Sequence, residues 1–193
     1  KCIVYSLNFQ DIQDNNASQD WDSTYELLLA ACQNLVKAGA DAVLICANTM
    51  HFAADKIRAH LPVPLIHIAE VTGASIVSQG IKTVALLGTR YTMEMDFYQN
   101  KLKALGISVF IPSEEDREFI HSTIYNELSF GVLLPETKKK YQTIIENMAR
   151  MGAEAVILGC TEIPLLIQEN DVSIPVFDTT KIHAEAAVKF VLG

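Results

Sequence analysis

An internal repeat constrains the fold of this chain more than any other feature. Residues 38–45 read Ala-Gly-Ala-Asp-Ala-Val-Leu-Ile, and residues 151–158 read Met-Gly-Ala-Glu-Ala-Val-Ile-Leu, so the two segments match almost position for position. A short polar tip follows each segment, at residues 46–49 and 159–162, and a Pro-led apolar run comes later. A repeated strand, turn and helix predicts two similar lobes whose polar tips face each other across a cleft.

The composition excludes several classes of protein. A net charge of −8 without any Lys/Arg-rich block argues against nucleic acid or an anionic membrane as the main partner. No apolar run reaches the length that spans a membrane. The four cysteines lack the spacing of metal ligands, and no signal peptide is evident, so we expect a cytoplasmic protein. Dinucleotide, P-loop and zinc-protease motifs are also absent from the sequence.

Short apolar runs alternate with longer segments of helical period, which predicts an α/β fold with mainly parallel sheets flanked by helices. The predicted strands lie near residues 3–7, 42–45, 64–67, 83–87, 108–111, 155–158 and 175–177. The predicted helices cover residues 22–38, 50–60, 69–78, 91–104, 114–127, 135–151 and 179–191. Ser23 and Glu26 form a capping-box pattern for the first of these helices. The polar segment 11–20 predicts a surface loop.

The predicted lobes divide near residue 78, where Ser78-Gln79-Gly80 interrupts the pattern. We expect the first lobe to comprise residues 1–78 and 179–193, and the second lobe to comprise residues 79–178. The chain opens almost directly on a predicted strand, so the first lobe is expected to lack its first strand.

Cys160 is the main candidate for chemistry because it ends a predicted buried strand just before a helix. Backbone N–H groups and the helix dipole at such a position lower the pKa of a thiol from its usual value of about 8.5. Thr161 can cap that helix or bind a carboxylate. A buried structural cysteine is the alternative. Since side chains alternate along a strand, a Cys160 that faces the cleft predicts that Ala47 faces it too and that Cys46 belongs to the core. Cys2 and Cys32 are assigned to packing.

Four ordered motifs resemble the cofactor-independent aspartate/glutamate racemases. They are Cys-Ala-Asn-Thr-Met-His at 46–51, Leu-Leu-Gly-Thr-Arg-Tyr-Thr-Met-Glu-Met-Asp-Phe-Tyr at 86–98, Leu-Gly-Cys-Thr-Glu-Ile at 158–163 and Val-Phe-Asp-Thr-Thr-Lys-Ile-His-Ala-Glu at 176–185. The resemblance covers nearly the whole chain and implies a two-lobed α/β enzyme with its active site in the cleft. Members of that family also carry an upstream strand with a Gly-rich turn, which this chain is expected to lack.

The resemblance implies proton transfer at the α-carbon of a small acidic amino acid, aspartate or glutamate, without pyridoxal phosphate or metal. One residue removes the proton from one face, and another returns a proton to the opposite face. Ala47 stands at the first of these positions, where the family has Cys or Thr, whereas Cys160 keeps the second. His183 lies in a family motif and is expected to orient Cys160. Five further residues match substrate-binding positions: Asn48, Thr49, Thr89, Thr161 and Glu162. A homodimer is also implied.

Because the side chain of Ala47 has no proton to transfer, both the source of the second proton and the reaction itself stay open. The opposite proton would come from Cys46, Thr49, His51 or water. Superfamily relatives such as the arylmalonate decarboxylases use one Cys, since protonating a carbanion on a single face needs only one acid. A third alternative is an inactive homologue that binds an amino acid without converting it. Arg90, at a helix start, either pairs with a substrate carboxylate or is solvated.

Overall fold

Two parallel sheets organise the protein, whose computed structural model describes residues 1–193. The small sheet pairs β1 (Val43–Leu44) with β2 (Leu65–Ile66). The large sheet has the order β4-β3-β5-β6. Its strands are β3 (Thr83–Gly88), β4 (Ser108–Phe110), β5 (Ala155–Gly159) and β6 (Val176–Asp178). The parallel α/β architecture expected from the sequence is confirmed.

Ten α-helices connect and cover these strands. They are α1 (Phe9–Ala17), α2 (Trp21–Lys37), α3 (Ala54–Arg58), α4 (Ile68–Ser78), α5 (Arg90–Glu94), α6 (Asp96–Ala104), α7 (Glu114–Asn126), α8 (Pro135–Arg150), α9 (Ile163–Leu166) and α10 (Thr179–Leu192). Three short 3-10 helices cover Thr49–Ala53, Leu128–Phe130 and Glu169–Asp171. The single helix predicted over 91–104 is two helices, because Met95 adopts an extended backbone with ψ of 147°.

The N-terminal predictions need correction. Segment 11–20 is mostly helix rather than loop: Asn8 caps α1 by accepting a hydrogen bond from the Gln10 N–H, and only Ile12 and Asn16 are buried. Two buried residues, of which only one is apolar, are too few to produce a helical period of hydrophobic residues in the sequence. Residues 1–6 are exposed and form no strand, contrary to the strand predicted at 3–7. The cap of α2 is Asp20, whose carboxylate accepts from the Ser23 N–H, so the Ser23–Glu26 capping box is not formed.

The large sheet is buried on both faces, which explains its uninterrupted apolar strands. Val156 and Leu158 of β5 point into one hydrophobic cluster, with α7, α8 and α9. Ala155 and Ile157, the alternate positions, point into a second cluster with α4 and α6. A third cluster joins the small sheet to α1, α2 and α3.

The C-terminal helix α10 links the two sheets. It packs on α4 and β2 as well as on β5 and β6, and His183 donates its Nε2–H to the carbonyl of Ile66 at 2.7 Å. The division into residues 1–78 plus 179–193 and residues 79–178 stays a prediction. None of the helices combines the length and the hydropathy required to cross a bilayer.

Candidate functional site

The carboxyl ends of β3 and β5 meet at a pair of glycines, Gly88 and Gly159, which are direct partners in the sheet. A Cβ on Gly88 would lie 2.8 Å from the Gly159 carbonyl oxygen, and one on Gly159 would lie 2.8 Å from the Leu87 carbonyl oxygen. Glycine is therefore needed for this close approach. Because the strands are parallel, Thr89 and Cys160, the next residues, emerge at the same edge of the sheet, where ligands of open α/β folds bind.

Three buried threonine hydroxyls connect the first polar tip to this edge. Thr49 Oγ1 lies 2.8 Å from Thr89 Oγ1 and 3.0 Å from Thr92 Oγ1, and the latter two oxygens are 3.2 Å apart. Thr89 is also the N-cap of α5, where its hydroxyl oxygen accepts from the Thr92 N–H. We call these three residues the threonine cluster. Their hydroxyls can rotate to donate toward an anionic ligand.

The side chain of Asn48 is hydrogen-bonded only through the nitrogen of its amide. Its Nδ2 donates to Thr179 Oγ1 at 3.0 Å, and Thr179 in turn donates to the Leu158 carbonyl at 2.8 Å. The Asn48 Oδ1 is buried and has no hydrogen-bond partner in the protein. Buried polar atoms are rarely left unpaired, so this oxygen is available to accept an N–H from a ligand.

Cys160 is 7% exposed and donates its Sγ–H to Glu162 Oε2 at 2.9 Å. Thr161 donates its hydroxyl to the same oxygen at 2.7 Å and does not cap α9. Burial, the charge of Glu162 and this hydrogen bond raise the pKa of the Cys160 thiol. The lowered pKa expected from the sequence is therefore wrong: the backbone N–H groups of Thr161 and Glu162 act in that direction but are outweighed.

Three buried histidines lie together behind the first polar tip. His51 donates its Nδ1–H to the Ala47 carbonyl at 2.9 Å, while its Nε2 accepts from the Ile68 N–H at 3.1 Å. Its ring is 4.6 Å from that of His67 and 5.6 Å from that of His183. Burial and these two neighbours lower the pKa of His51 to about 3, so its imidazole is neutral. His183 binds Ile66 and makes no hydrogen bond to Cys160.

The comparison with known proteins agrees with this geometry. The family model for Asp/Glu/hydantoin racemases matches residues 2–187. The chain belongs to this racemase family. A crystal structure of an Asp/Glu racemase from Yersinia pestis is 43% identical and superposes with a TM-score of 0.91, covering 99% of this chain and 84% of that one.

Two more members of the family are similar over most of their length. An aspartate racemase homologue from Pyrococcus horikoshii is 35% identical, with a TM-score of 0.86 over 99% of this chain and 83% of that one. The broad specificity amino-acid racemase RacX of Bacillus subtilis is 27% identical over 182 residues, or 90% of this chain and 75% of its own length. The two solved structures share the fold of this racemase homologue, and RacX is similar to it in sequence.

The exposure of Cys46 differs from what alternation along the strand predicts. Ala47 is half-buried and packs against the cluster of the small sheet, and its carbonyl is held by His51. Cys46 is exposed rather than in the core, and Cys2 is exposed too, whereas Cys32 is buried as expected. The strand β1 ends at Leu44, so the pleat no longer sets which way residues 46 and 47 point.

The structure of this family member thus joins the predicted residues in two groups. Thr49 and Thr89 are linked through the threonine cluster, beside Asn48, and Cys160, Thr161 and Glu162 form the second group. Arg90 pairs with Glu118. Sequence analysis missed Thr92 and Thr179, although Thr92 at the third position after a Thr N-cap is a readable signal. No three His, Cys, Asp or Glu side chains are grouped to hold a metal ion.

Proposed function

We propose that this protein is a cofactor-independent amino acid racemase in which Cys160 exchanges a proton with the substrate α-carbon. The hydrogen bond from Cys160 Sγ to Glu162 Oε2, at 2.9 Å, carries the proposal because it gives the thiol a partner that can take its proton. Membership of the racemase family supports amino acid racemase chemistry in general. The family resemblance makes aspartate and glutamate the first substrates to assay.

Cys160 begins the reaction as a neutral thiol, since its pKa is raised. To act as a base it first gives its proton to Glu162, and the resulting thiolate then removes the proton from the α-carbon. The positive α-ammonium group of a bound amino acid favours the thiolate, because an opposite charge nearby lowers the pKa of a thiol. In the reverse direction the same thiol protonates the carbanion.

The remaining polar groups suit the two ends of an amino acid. Asn48 Oδ1 is an unpaired acceptor for the α-ammonium N–H. The hydroxyls of Thr49 and Thr89 are donors for the α-carboxylate, where negative charge builds up as the carbanion forms. Donors that are already ordered before the reaction stabilise this charge without reorganisation.

The opposite face lacks an evident acid. Ala47 has no ionisable group, both ring nitrogens of His51 are engaged, and Cys46 is exposed. This observation favours a second candidate function, in which Cys160 alone protonates a carbanion on one face, as in a decarboxylase of a substituted malonate. An amino-acid-binding homologue without turnover is the third candidate.

One experiment separates the three functions. The protein is incubated in heavy water with the L- and D-forms of aspartate and glutamate, and NMR follows deuterium at the α-carbon and the conversion of enantiomers. Uptake with inversion supports a racemase, and uptake with retention indicates one working base. Release of carbon dioxide from a substituted malonate supports the decarboxylase, and binding without exchange supports the binding protein. The homodimer and the cytoplasmic location stay predictions.

A further inference from the structure

A band of half-buried rings runs beside the candidate site. Trp21 packs edge-on against Phe52 and Tyr91, with centroids 5.0 and 5.3 Å apart. Tyr91 packs against His121 at 5.7 Å, and His121 packs against Tyr125 at 4.9 Å. We call these five residues the aromatic band. Its members come from the start of α2, a 3-10 helix, α5 and α7, and each keeps part of its surface exposed.

The aromatic band adjoins both groups of site residues. Phe52 lies in the same 3-10 helix as Thr49. Tyr91 lies in α5, two residues after the N-cap Thr89. At the other end, burial and the charges of Tyr91, Cys160 and Glu162 raise the pKa of Tyr125 to about 12. Tyr125 also packs against the hydrophobic cluster that contains Cys160, so the rings extend from the helices that carry the threonine cluster toward the thiol.

The cationic side chains around the aromatic band are already paired. Arg90 is bound to Glu118, Arg117 Nε lies 2.7 Å from Glu94 Oε1, and Lys140 Nζ lies 2.7 Å from Asp116 Oδ1. His121 Nδ1 accepts a hydrogen bond from the Arg90 N–H, which is an interaction of the neutral ring. Burial and the charge of Arg90 also lower the pKa of His121. A substrate carboxylate would find no free cation here.

The site also carries a negative group and an unpaired acceptor. The carboxylate of Glu162 repels a second carboxylate, and burying an unpaired charge is costly. Asn16 of α1 is 5% exposed and its Oδ1 has no partner, while its backbone carbonyl accepts from the Tyr91 hydroxyl at 3.3 Å. This unpaired oxygen beside the rings can accept a hydrogen bond from a donor on a ligand.

We infer that the substrate is an amino acid with an uncharged side chain, which packs on the aromatic band and donates to Asn16 where it carries a donor. The inference rests on the proposed function and narrows its substrate. A zwitterion of this kind adds no net charge to the site, whereas aspartate or glutamate adds one negative charge. Stacking on rings also favours an apolar or aromatic substrate side chain.

The test compares α-carbon deuterium exchange for glutamine, methionine and phenylalanine with that for aspartate and glutamate. We expect kcat/KM for the best uncharged substrate to exceed that for both acids by about tenfold or more, the factor that corresponds to one unfavourable charge contact. Equal or faster exchange of an acid overturns the inference and leaves the proposed function standing.

Calorimetry with the Cys160→Ala variant measures binding independently of turnover. Tighter binding of uncharged amino acids, with no exchange by the wild type, keeps the inference and rejects the proposed function. Tighter binding of aspartate or glutamate rejects the inference, and absence of binding by any of these amino acids rejects both.

Two variants test the assignment of residues. His121→Lys adds a cation to the aromatic band, and we expect the preference for uncharged substrates over aspartate to fall by about tenfold. An equal loss for both classes would mean that His121 is only structural.

Asn16→Ala should weaken the binding of glutamine more than the binding of phenylalanine. Asn15→Ala, on the same helix and partly exposed, should change the binding of neither. An equal effect of Asn16→Ala on both substrates would contradict its role.

Discussion

The thiol of Cys160 and the hydroxyl of Thr161 donate to one and the same oxygen of Glu162, at 2.9 and 2.7 Å. A carboxylate oxygen that accepts two hydrogen bonds is fixed in position and is ready to take a proton from the thiol. The thiol is thereby kept protonated in the free protein, because the negative charge of Glu162 opposes a thiolate. Under the proposed mechanism, the positive ammonium group of the substrate would offset that negative charge.

Replacing Cys160 by Ala should abolish exchange of the α-proton. Removing a residue that transfers protons typically lowers kcat by a factor of about 100 to 10,000. Cys46→Ala is the matched control, since Cys46 is exposed and should leave the rate unchanged. The NMR exchange assay measures both. Equal losses in the two variants would contradict the assignment of the thiol.

Glu162→Gln should lower the pKa of the Cys160 thiol. The substitution removes a negative charge and retains an oxygen that can accept the hydrogen bond, so the thiolate becomes less unfavourable. The measurement is the rate of alkylation against pH in a variant whose other three cysteines are Ala. The rate should rise at a lower pH than in the same background with Glu162. Exchange activity should fall, because the neutral amide can accept a hydrogen bond from the thiol but cannot take its proton.

The stability of the protein should fall above about pH 8.5, the ordinary pKa of a thiol. Cys160 has a raised pKa when folded, so at alkaline pH the unfolded chain loses this proton before the folded protein does. The stabilising contribution is complete below about pH 8.5 and is lost as pH rises toward the folded pKa. In urea unfolding, the unfolding free energy of the wild type relative to that of Cys160→Ala should be about 1 kcal/mol lower at pH 9.5 than at pH 8.5. A constant difference would contradict the raised pKa.

The repeat in the sequence predicted the strands of this site better than its side chains. The apolar run before Cys160 predicts β5 and the burial of both its faces, because a strand that is covered on both sides has a continuous apolar sequence. It did not predict that Cys46 is exposed, since β1 has only two residues and the alternation stops before the tip. Nor did local spacing reveal Asn16, whose helix has only two buried positions.

The same limit applies to interactions between distant segments. The bond from Asn48 to Thr179 joins residues 131 positions apart, and only the folded sheets bring them together. The raised pKa of the Cys160 thiol cannot be predicted from the sequence for a related reason. Sequence position indicates a helix start, but it does not tell how deeply the thiol is buried or that Glu162 turns back toward it.

His51 should be a positioning residue for the first polar tip. Its Nδ1–H holds the Ala47 carbonyl, and its Nε2 accepts from the Ile68 N–H at the start of α4. His51→Ala leaves both groups unpaired in a buried site and should cost about 2 to 4 kcal/mol of unfolding free energy. His60→Ala, at an exposed histidine, should stay within about 0.5 kcal/mol.

His51→Asn provides a second comparison. The Asn amide can still donate to the Ala47 carbonyl but is too short to reach Ile68, so the loss of stability should be intermediate. Substrate KM should rise in the Ala variant and recover partly in the Asn variant, because the tip that carries Asn48 and Thr49 regains one contact. A KM unaffected in both variants would limit His51 to a role in stability.

Ala47→Cys should increase racemisation relative to exchange with retention. Ala47 precedes Asn48 at the tip opposite Cys160 in the internal repeat, and a thiol there would supply the acid that the second face lacks. Inversion should become detectable or rise by about tenfold or more, whereas proton exchange at Cys160 should change little. Heavy-water NMR with enantiomer analysis measures both quantities on the same sample. Ala42→Cys, earlier in the repeat and also half-buried, is the control for adding a thiol elsewhere. If Ala47→Cys folds with unchanged exchange and yields no inversion, the position does not face the α-carbon, and chemistry on one face becomes the better description of this enzyme.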